Sequence, residues 1–192
     1  AAMLALALVA RRLGADPAAA ADDLAPALRT FAPLPHRLRP IATAGGVTWV
    51  DDSIATIPEA ALGALTTWRE RGPVTLLLGG EDRGQDLTGL VAAAADPEVR
   101  VALLGALGVR LAEALRAAGT PVDGARIAAV ADLAAAVTWA AAVTPAGGAV
   151  LLSPAAPSFG AFRDFVHRAE TFRDLALALP GAAPVPDREP PR

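Results

Sequence analysis

The sequence predicts an α/β fold in which helices flank an open, mainly parallel β-sheet. From Gly46 onward, short β-rich runs alternate with helical runs, the order typical of parallel α/β sheets. Two β-rich runs, LLLGG at 76–80 and ALLG at 102–105, are almost entirely apolar, as strands buried on both faces are. Polar residues follow directly after several of the runs, where such sheets bind ligands. Together these features are typical of a Rossmann-like sheet.

Five strands and five helices are predicted in this part of the chain. The strands are expected where aliphatic and β-branched residues cluster, in GVTWVDD (46–52), PVTLLLGG (73–80), VRVALLG (99–105), ARIAAV (125–130) and GAVLLSP (148–154). The helices are expected between and after these strands, at 58–70, 87–95, 107–118, 131–143 and 160–179. Residues 46–180 are therefore predicted to form one domain.

Two helices and a linker are predicted ahead of this domain. Residues 1–30 read as two helices, since Gly14 is a good helix stop and Asp16-Pro17 fits a new helix start. Residues 31–45 contain FAPLPHRLRP, with three prolines in ten residues, and are predicted to be a stiff hinge linker. The proline-rich residues 181–192 are predicted to be a disordered tail.

Composition excludes several classes of function. The chain has no cysteine and two histidines, so disulfides, cysteine metal sites and histidine-rich metal sites are not expected. The net charge of -3 argues against a nucleic-acid-binding face. The apolar residues 1–10 precede Arg11 and Arg12 instead of following them, and the run is too short to span a bilayer. We therefore expect no metal site, no nucleic-acid partner and no membrane insertion.

The candidate site consists of the polar residues that follow the predicted strands. Because carboxyl ends of parallel strands share one edge, these residues should meet there: Asp51, Asp52, Ser53 and Thr56 after the first strand, Gly79–Gly84 after the second, and Ser153 and Ser158 after the last. Arg83, between glycines, can clamp a carboxylate or phosphate, and an aspartate can accept from ribose hydroxyls. The sequence has no GxGxxG after the first strand, no Walker A lysine motif and no Ser-His-Asp order. Anion or nucleotide binding is therefore the predicted chemistry.

Structural explanations for these residues also stay open. The Ser53 or Thr56 hydroxyl could cap the helix that begins near Pro58, and Ser158 could cap the helix predicted at 160–179. Arg83 could be an ordinary surface charge.

Four blocks of sequence, in this order, resemble the C-terminal part of the Mur ligases that add glutamate to UDP-N-acetylmuramoyl-L-alanine. The blocks are LPHRL (34–38), GVTWVDDSIATIPEAALGAL (46–65), LLLGGEDRGQDL (76–87) and LLSPAAPSFGAFRDFVHRAETFRDLA (151–176). The resemblance covers roughly residues 1–180. It implies an ATP-dependent, ADP-forming ligase of peptidoglycan precursor synthesis in the cytoplasm, with ATP and Mg²⁺ as cofactors.

By this resemblance, residues 1–30 are the last two helices of a central ATPase domain. The family's ATPase loop and carbamoylated lysine would lie upstream, together with a UDP-binding domain. We therefore expect no catalytic residue in this chain and no turnover by the chain alone. Its partners would be those upstream domains and the substrates UDP-N-acetylmuramoyl-L-alanine and glutamate.

The resemblance also implies roles for individual residues. Arg37 matches the linker arginine that contacts the nucleotide, and Asp52 matches the aspartate that holds the ribose. Arg83 falls where the D-glutamate enzymes have a lysine that binds the amino acid carboxylate. The remaining matches line the glutamate pocket; they are Thr56, Ser158, Phe159 and Phe165.

Two departures from the D-glutamate pattern favour the branch that adds L-glutamate. The segment DSIATI replaces DSKATN, which puts Ile54 in place of a lysine and Ile57 in place of an asparagine, and the glycine loop reads GGEDRG. The alternatives are the D-glutamate ligase and a stand-alone, non-catalytic module that binds a nucleotide or an acidic metabolite. A folate polyglutamate-adding enzyme fits less well, because it lacks the SPAAPSFGAF block.

Overall fold

The computed structural model describes Gly14 and residues 34–186. In chain order the elements are β1 (Arg39–Ala44), β2 (Val47–Asp51), α1 (Pro58–Arg69), β3 (Val74–Gly79), α2 (Thr88–Ala95), β4 (Val99–Leu104), α3 (Gly105–Ala117), β5 (Ile127–Ala129), α4 (Leu133–Val143), β6 (Ala149–Leu152), α5 (Phe165–Leu177) and β7 (Ala183–Pro184). Apart from Gly14, the two helices predicted at 1–30 lie outside the described residues, as does the end of the predicted tail at 187–192.

The predicted α/β class with a mainly parallel sheet is confirmed. The seven strands lie in the order β5-β4-β3-β6-β2-β1-β7. Strands β2 to β6 are parallel to their neighbours within this group, and β1 is antiparallel to both β2 and β7. Strand β6 lies between β2 and β3, so the carboxyl ends of these three strands are adjacent at the middle of the sheet. Such an edge is the usual ligand position in open α/β sheets.

Both faces of the sheet are covered by helices, which explains the continuous apolar runs. Successive side chains of a strand point to opposite faces. Leu76 and Leu78 of β3 accordingly pack in a cluster with residues of α1, α2 and α3, such as Leu111. Leu77, between them, joins Phe172 in a second cluster with residues of α4 and α5.

The predicted linker and the predicted disordered tail each contain a strand that was not expected. Arg39–Ala44, expected within the 31–45 linker, forms β1, which turns into β2 through Gly45 and Gly46. These glycines have φ of +57° and +76°, as a two-residue hairpin turn requires. The hairpin therefore forms although the nearby prolines are typical of a linker. Ala183–Pro184, expected in the disordered tail, forms β7 and pairs with β1.

The last helix begins later than predicted. Helix α5 starts at Phe165 instead of residue 160, because the Asp164 carboxylate accepts a hydrogen bond from His167 N at 2.8 Å and caps the helix there. Within the part of the chain that the structure describes, no helix combines the length and apolar character that crossing a bilayer needs.

Candidate functional site

Three loops meet at the carboxyl ends of β2, β3 and β6, as the sequence predicts. Gly79 N donates to Pro154 O at 2.9 Å, and Glu81 N donates to Pro157 O at 3.1 Å. The Ser153 hydroxyl donates to Asp52 Oδ2 at 2.6 Å. The loop after β6 therefore lies between the loops after β2 and β3 and is bonded to both.

Asp52 is buried in the protein, and both of its carboxylate oxygens are engaged. The residue is 2% exposed, and Leu38 N donates to Oδ1 at 3.1 Å while Ser153 donates to Oδ2. Burial raises the pKa of Asp52, although its two hydrogen bonds and the charge of Arg37 act in the opposite direction. Asp52 thus ties the segment ahead of β1 to the loop after β6, and the exposed Arg37 lies in that same segment.

Asp51, the last residue of β2, forms a second connection to the segment ahead of β1 through His36. His36 Nδ1 lies 2.7 Å from Asp51 Oδ2, and Ser53 N donates to Asp51 Oδ1 at 2.9 Å. The His36 ring meets the Phe165 ring edge-on, with 5.7 Å between centroids. His36 and Leu38 have φ of +60° and +48°, a conformation that non-glycine residues adopt only when their surroundings hold it. The sequence analysis placed Asp51 among the polar residues after the first predicted strand but did not name His36 as a site residue.

Arg168 is the residue that sequence reasoning missed at this edge. It is 2% exposed, and its guanidinium donates to Ser53 Oγ, Ser53 O and Ala156 O at 3.0, 2.8 and 3.1 Å. Ser53 Oγ in turn donates to Phe165 O at 2.8 Å. The available signal was an arginine on the buried stripe of α5, which otherwise contains Ala169, Phe172 and Ala176.

The glycine loop after β3 places the Arg83 guanidinium in solvent. The Arg83 side chain is 58% exposed and lies 3.3 Å from Glu81 Oε2, an ion pair too exposed to contribute much stability. Its guanidinium carbon lies 5.8 Å from the centre of the Phe159 ring, and Phe159 is itself 57% exposed. The structure therefore brings these two predicted glutamate-site residues together.

The other three predicted glutamate-site residues occupy the same edge in different settings. Ser158 is buried, Thr56 is half-buried ahead of α1, and Phe165 is the first residue of α5. The capping explanations for the hydroxyl residues are wrong. Helix α1 has Ile57 at its N-cap with no side-chain capping bond, and α5 is capped by Asp164.

A cavity among the described residues lies at the opposite edge of the sheet. Its volume is about 460 Å³, and it is lined by residues near the amino ends of β3 and β4, including Pro73, Pro97 and Arg100. None of the predicted site residues lines it. We place the candidate site at the carboxyl edge, because the convergent polar groups and the strained backbone are there. Within residues 34–186, no three His, Asp or Glu side chains are grouped so as to hold a metal ion.

We expect Asp52→Asn to be at least as stable as the wild-type chain at neutral pH. The amide keeps an oxygen for Leu38 N and an N–H for the Ser153 hydroxyl, while a buried charge is removed. Since the pKa of Asp52 is raised above 3.8 in the folded state, its protonated form contributes stability at low pH that is lost as pH rises through the folded pKa.

Urea unfolding at a series of pH values from 3.8 upward checks this expectation. The wild-type chain should lose stability over this window relative to the Asn variant. Parallel pH profiles for the two proteins would contradict the assigned direction of the shift.

Comparison with known proteins matches this part of the chain to a protein family. A sequence profile described as Mur ligase, glutamate ligase domain, matches residues 36–156. This range contains β1 to β6 and the loops that form the candidate site as far as Ala156.

Three relatives illustrate the similarity. A protein of Micromonospora sp. named UDP-N-acetylmuramoyl-L-alanine–L-glutamate ligase is 47% identical over 178 residues, which are 93% of this chain and 38% of that protein. A Xanthomonas campestris protein of the same name is 42% identical, over 88% of this chain and 36% of its own length. A Dechloromonas aromatica protein named UDP-N-acetylmuramoylalanine–D-glutamate ligase is 40% identical, over 93% of this chain and 37% of its own length. This chain spans less than two fifths of the length of each of these relatives. The profile match and the identities show that the chain belongs to the Mur ligase family and carries its glutamate ligase domain.

Proposed function

We propose that the chain is the C-terminal part of an ATP-dependent, ADP-forming ligase that adds L-glutamate to UDP-N-acetylmuramoyl-L-alanine. The observation that carries this proposal is the 47% identity, over 93% of the chain, to a relative named for that reaction. The convergence of Arg83, Phe159 and the Asp52 loop at one edge supports it. In the complete enzyme, this chain follows an ATPase domain and a UDP-binding domain and acts in cytoplasmic peptidoglycan precursor synthesis.

The reaction joins the amine of glutamate to the carboxylate of the L-alanine residue. ATP supplies the phosphoryl group that activates this carboxylate, and phosphate leaves when the amine attacks the carbonyl carbon and loses a proton. The role of this chain is to bind and orient the nucleotide and the amino acid, a positioning effect that is large in two-substrate reactions. Because the described residues offer no grouped metal ligands, Mg²⁺ is held mainly outside them in this proposal.

Arg37 and Asp52 contact the nucleotide in this proposal. Arg37 is an exposed cation suited to an anionic group, whereas Asp52 already accepts from Leu38 N. Because Asp52 is 2% exposed, a ribose hydroxyl can reach Oδ1 only if the segment that contains Leu38 moves. Nucleotide binding would therefore be coupled to the conformation of residues 36–38, where two residues have positive φ.

In this proposal Arg83 binds a carboxylate of the incoming glutamate, and Thr56, Ser158, Phe159 and Phe165 line the glutamate pocket. Its guanidinium forms an exposed ion pair with Glu81 at 3.3 Å, so a substrate carboxylate can replace this partner at low cost. A planar fork can bind the carboxylate through two parallel hydrogen bonds, which a lysine ammonium cannot do.

The D-glutamate ligase is the second candidate function. It is supported by the Dechloromonas aromatica relative, which is named for D-glutamate and is 40% identical to this chain. Ile54, Ile57 and the GGEDRG loop favour L-glutamate, as do the names of the Micromonospora and Xanthomonas relatives.

Phosphate release by the complete enzyme tests the proposed function. The enzyme is given ATP, Mg²⁺ and UDP-N-acetylmuramoyl-L-alanine, and the rates with L-glutamate and with D-glutamate are compared. Release with L-glutamate alone is the expected result. Release with D-glutamate alone would replace the proposal by the second candidate, and release with neither would favour a non-catalytic binding module.

Arg83→Ala should raise the KM for glutamate by about 10- to 100-fold and leave the KM for ATP within about 2-fold of wild type. The estimate corresponds to the loss of one charge-assisted interaction, about 1.5–3 kcal/mol. Steady-state kinetics of the complete enzyme give both constants. Arg173→Ala, which removes an exposed arginine from α5, is the matched control. An unchanged KM for glutamate would show that Arg83 does not bind glutamate.

A further inference from the structure

The loop that carries Arg83 is held in place by an arginine from another helix. Residues 80–87 form neither helix nor strand. Arg110 of α3 reaches them, and its Nε and Nη2 donate to the two carboxylate oxygens of Asp82 at 2.6 and 2.9 Å. Nη2 also donates to Gln85 O at 2.7 Å. One guanidinium therefore fixes the loop on both sides of Arg83 and Gly84.

Gln85 connects the same loop to the loop after β6. Its side-chain oxygen accepts from Arg83 N at 2.9 Å, and its amide nitrogen donates to Ala155 O at 3.2 Å. Asp82 Oδ1 accepts from Gly84 N at 3.0 Å, where the backbone has φ of +71°. The backbone on each side of the Arg83 Cα is thus fixed by side-chain contacts and not by a strand or helix.

We propose that Arg110 and Gln85 are positioning residues that fix the backbone of 82–85 and so aim the exposed Arg83 guanidinium at the carboxylate of the acidic amino acid. The inference rests on the proposed function, which places that substrate at Arg83. Arg110 acts through Asp82 and the loop, because its Nε and Nη2 donate to the Asp82 carboxylate and to Gln85 O and so are already engaged.

We call the bonds from Arg110 and Gln85 to residues 82–85 the brace. Such a brace is needed because the side chain of Arg83 is long and flexible. Its exposed guanidinium is held only by weak contacts to Glu81 and Phe159, so its average position depends on where the loop backbone places its Cα. Displacement of a binding group by about 1 Å can cost up to about 100-fold in rate. Loss of the brace should therefore weaken glutamate use without a direct effect on the nucleotide.

Kinetics of the complete enzyme provide the first test. We expect Arg110→Met to raise the KM for glutamate by about 10-fold and to leave the KM for ATP unchanged, whereas Arg110→Lys, which keeps the charge but not the fork, should give an intermediate effect. Arg116→Met, which removes an exposed arginine from the last turn of the same helix, is the matched control and should behave as wild type.

A double-variant cycle separates positioning from a general structural role. If Arg110 acts through Arg83, then Arg110→Met should add little to the KM for glutamate once Arg83 is alanine. Equal multiplicative effects in the two backgrounds would overturn the proposal. A wild-type complete enzyme with no glutamate-dependent phosphate release would instead overturn the proposed function.

Hydrogen exchange of the chain itself tests the brace without any substrate. The Arg83 and Gly84 amides donate to Gln85 and Asp82, so Arg110→Met should increase their exchange rates at least about 10-fold while Arg116→Met changes neither. Gln85→Ala should do the same for the Arg83 amide. Unchanged exchange in the Arg110 and Gln85 variants would show that the loop does not need the brace and would overturn the inference.

Discussion

Arg168→Met is expected to lower the free energy of unfolding of the chain by about 3–5 kcal/mol. The guanidinium supplies donors to the buried carbonyl oxygens of Ser53 and Ala156, and methionine would leave both without this donor. An unsatisfied buried polar group costs about 1–3 kcal/mol, and two such groups dominate the expected loss. Part of the loss is offset, because burial of the charged group is itself unfavourable and lowers the pKa of Arg168 to about 10.

Urea unfolding of the wild-type and variant chains measures this difference. Arg173→Met is the control on the same helix, since Arg173 is exposed and pairs with its exposed neighbour Asp174. It should change stability by less than about 0.5 kcal/mol. Arg168→Lys should fall between the two, because an ammonium cannot span all three acceptors. If Arg168→Met proved as stable as Arg173→Met, the bonds of Arg168 would contribute nothing to stability.

The sheet was predictable from the sequence because its signals are local. The apolar run in β3 follows directly from burial on both faces, and the polar residues after β2 and β6 mark the carboxyl edge. Strand β1 was not predicted, because the prolines of residues 31–40 are typical of a linker; the local sign of this strand is the Gly45-Gly46 pair of a hairpin turn. Strand β7 could not be found locally, since a two-residue strand exists only through its pairing with β1.

The site was predictable as a place but not as a set of contacts. Parallel strands place the loops of Asp52, Arg83 and Ser158 at one edge, as the alternation of strands and helices predicts, whereas the strand order that makes the loops neighbours was not predicted. That both oxygens of Asp52 are satisfied inside the protein depends on Leu38 N and Ser153, which a motif does not specify. The pairing of Asp82 with Arg110 joins residues 28 positions apart on different elements, and no local pattern indicates it.

Gly79→Ala is expected to destabilise the chain by about 3–5 kcal/mol, because the backbone at this position leaves no room for a side chain. Gly79 ends β3 with φ of +145°, and a Cβ atom there would overlap Leu104 O of the paired strand β4. The strained conformation costs about 1–3 kcal/mol. Relief of the overlap by moving the backbone costs about the same again. The movement would also disturb the bond from Gly79 N to Pro154 O, which joins the loops after β3 and β6.

Gly84→Ala, in the loop that follows, separates the cost of the backbone conformation from the cost of the overlap with Leu104 O. Gly84 also has positive φ, +71°, but nothing lies within 4 Å of a Cβ built there. Alanine at this position should therefore cost only the conformational part, about 1–2 kcal/mol. Urea unfolding of the two variants compares them directly, and equal losses would show that the contact with Leu104 O does not determine the requirement for glycine. A larger loss at Gly79 would mean that close approach of β3 to β4 fixes the first glycine of the loop, whereas turn conformation alone fixes the glycine beside Arg83.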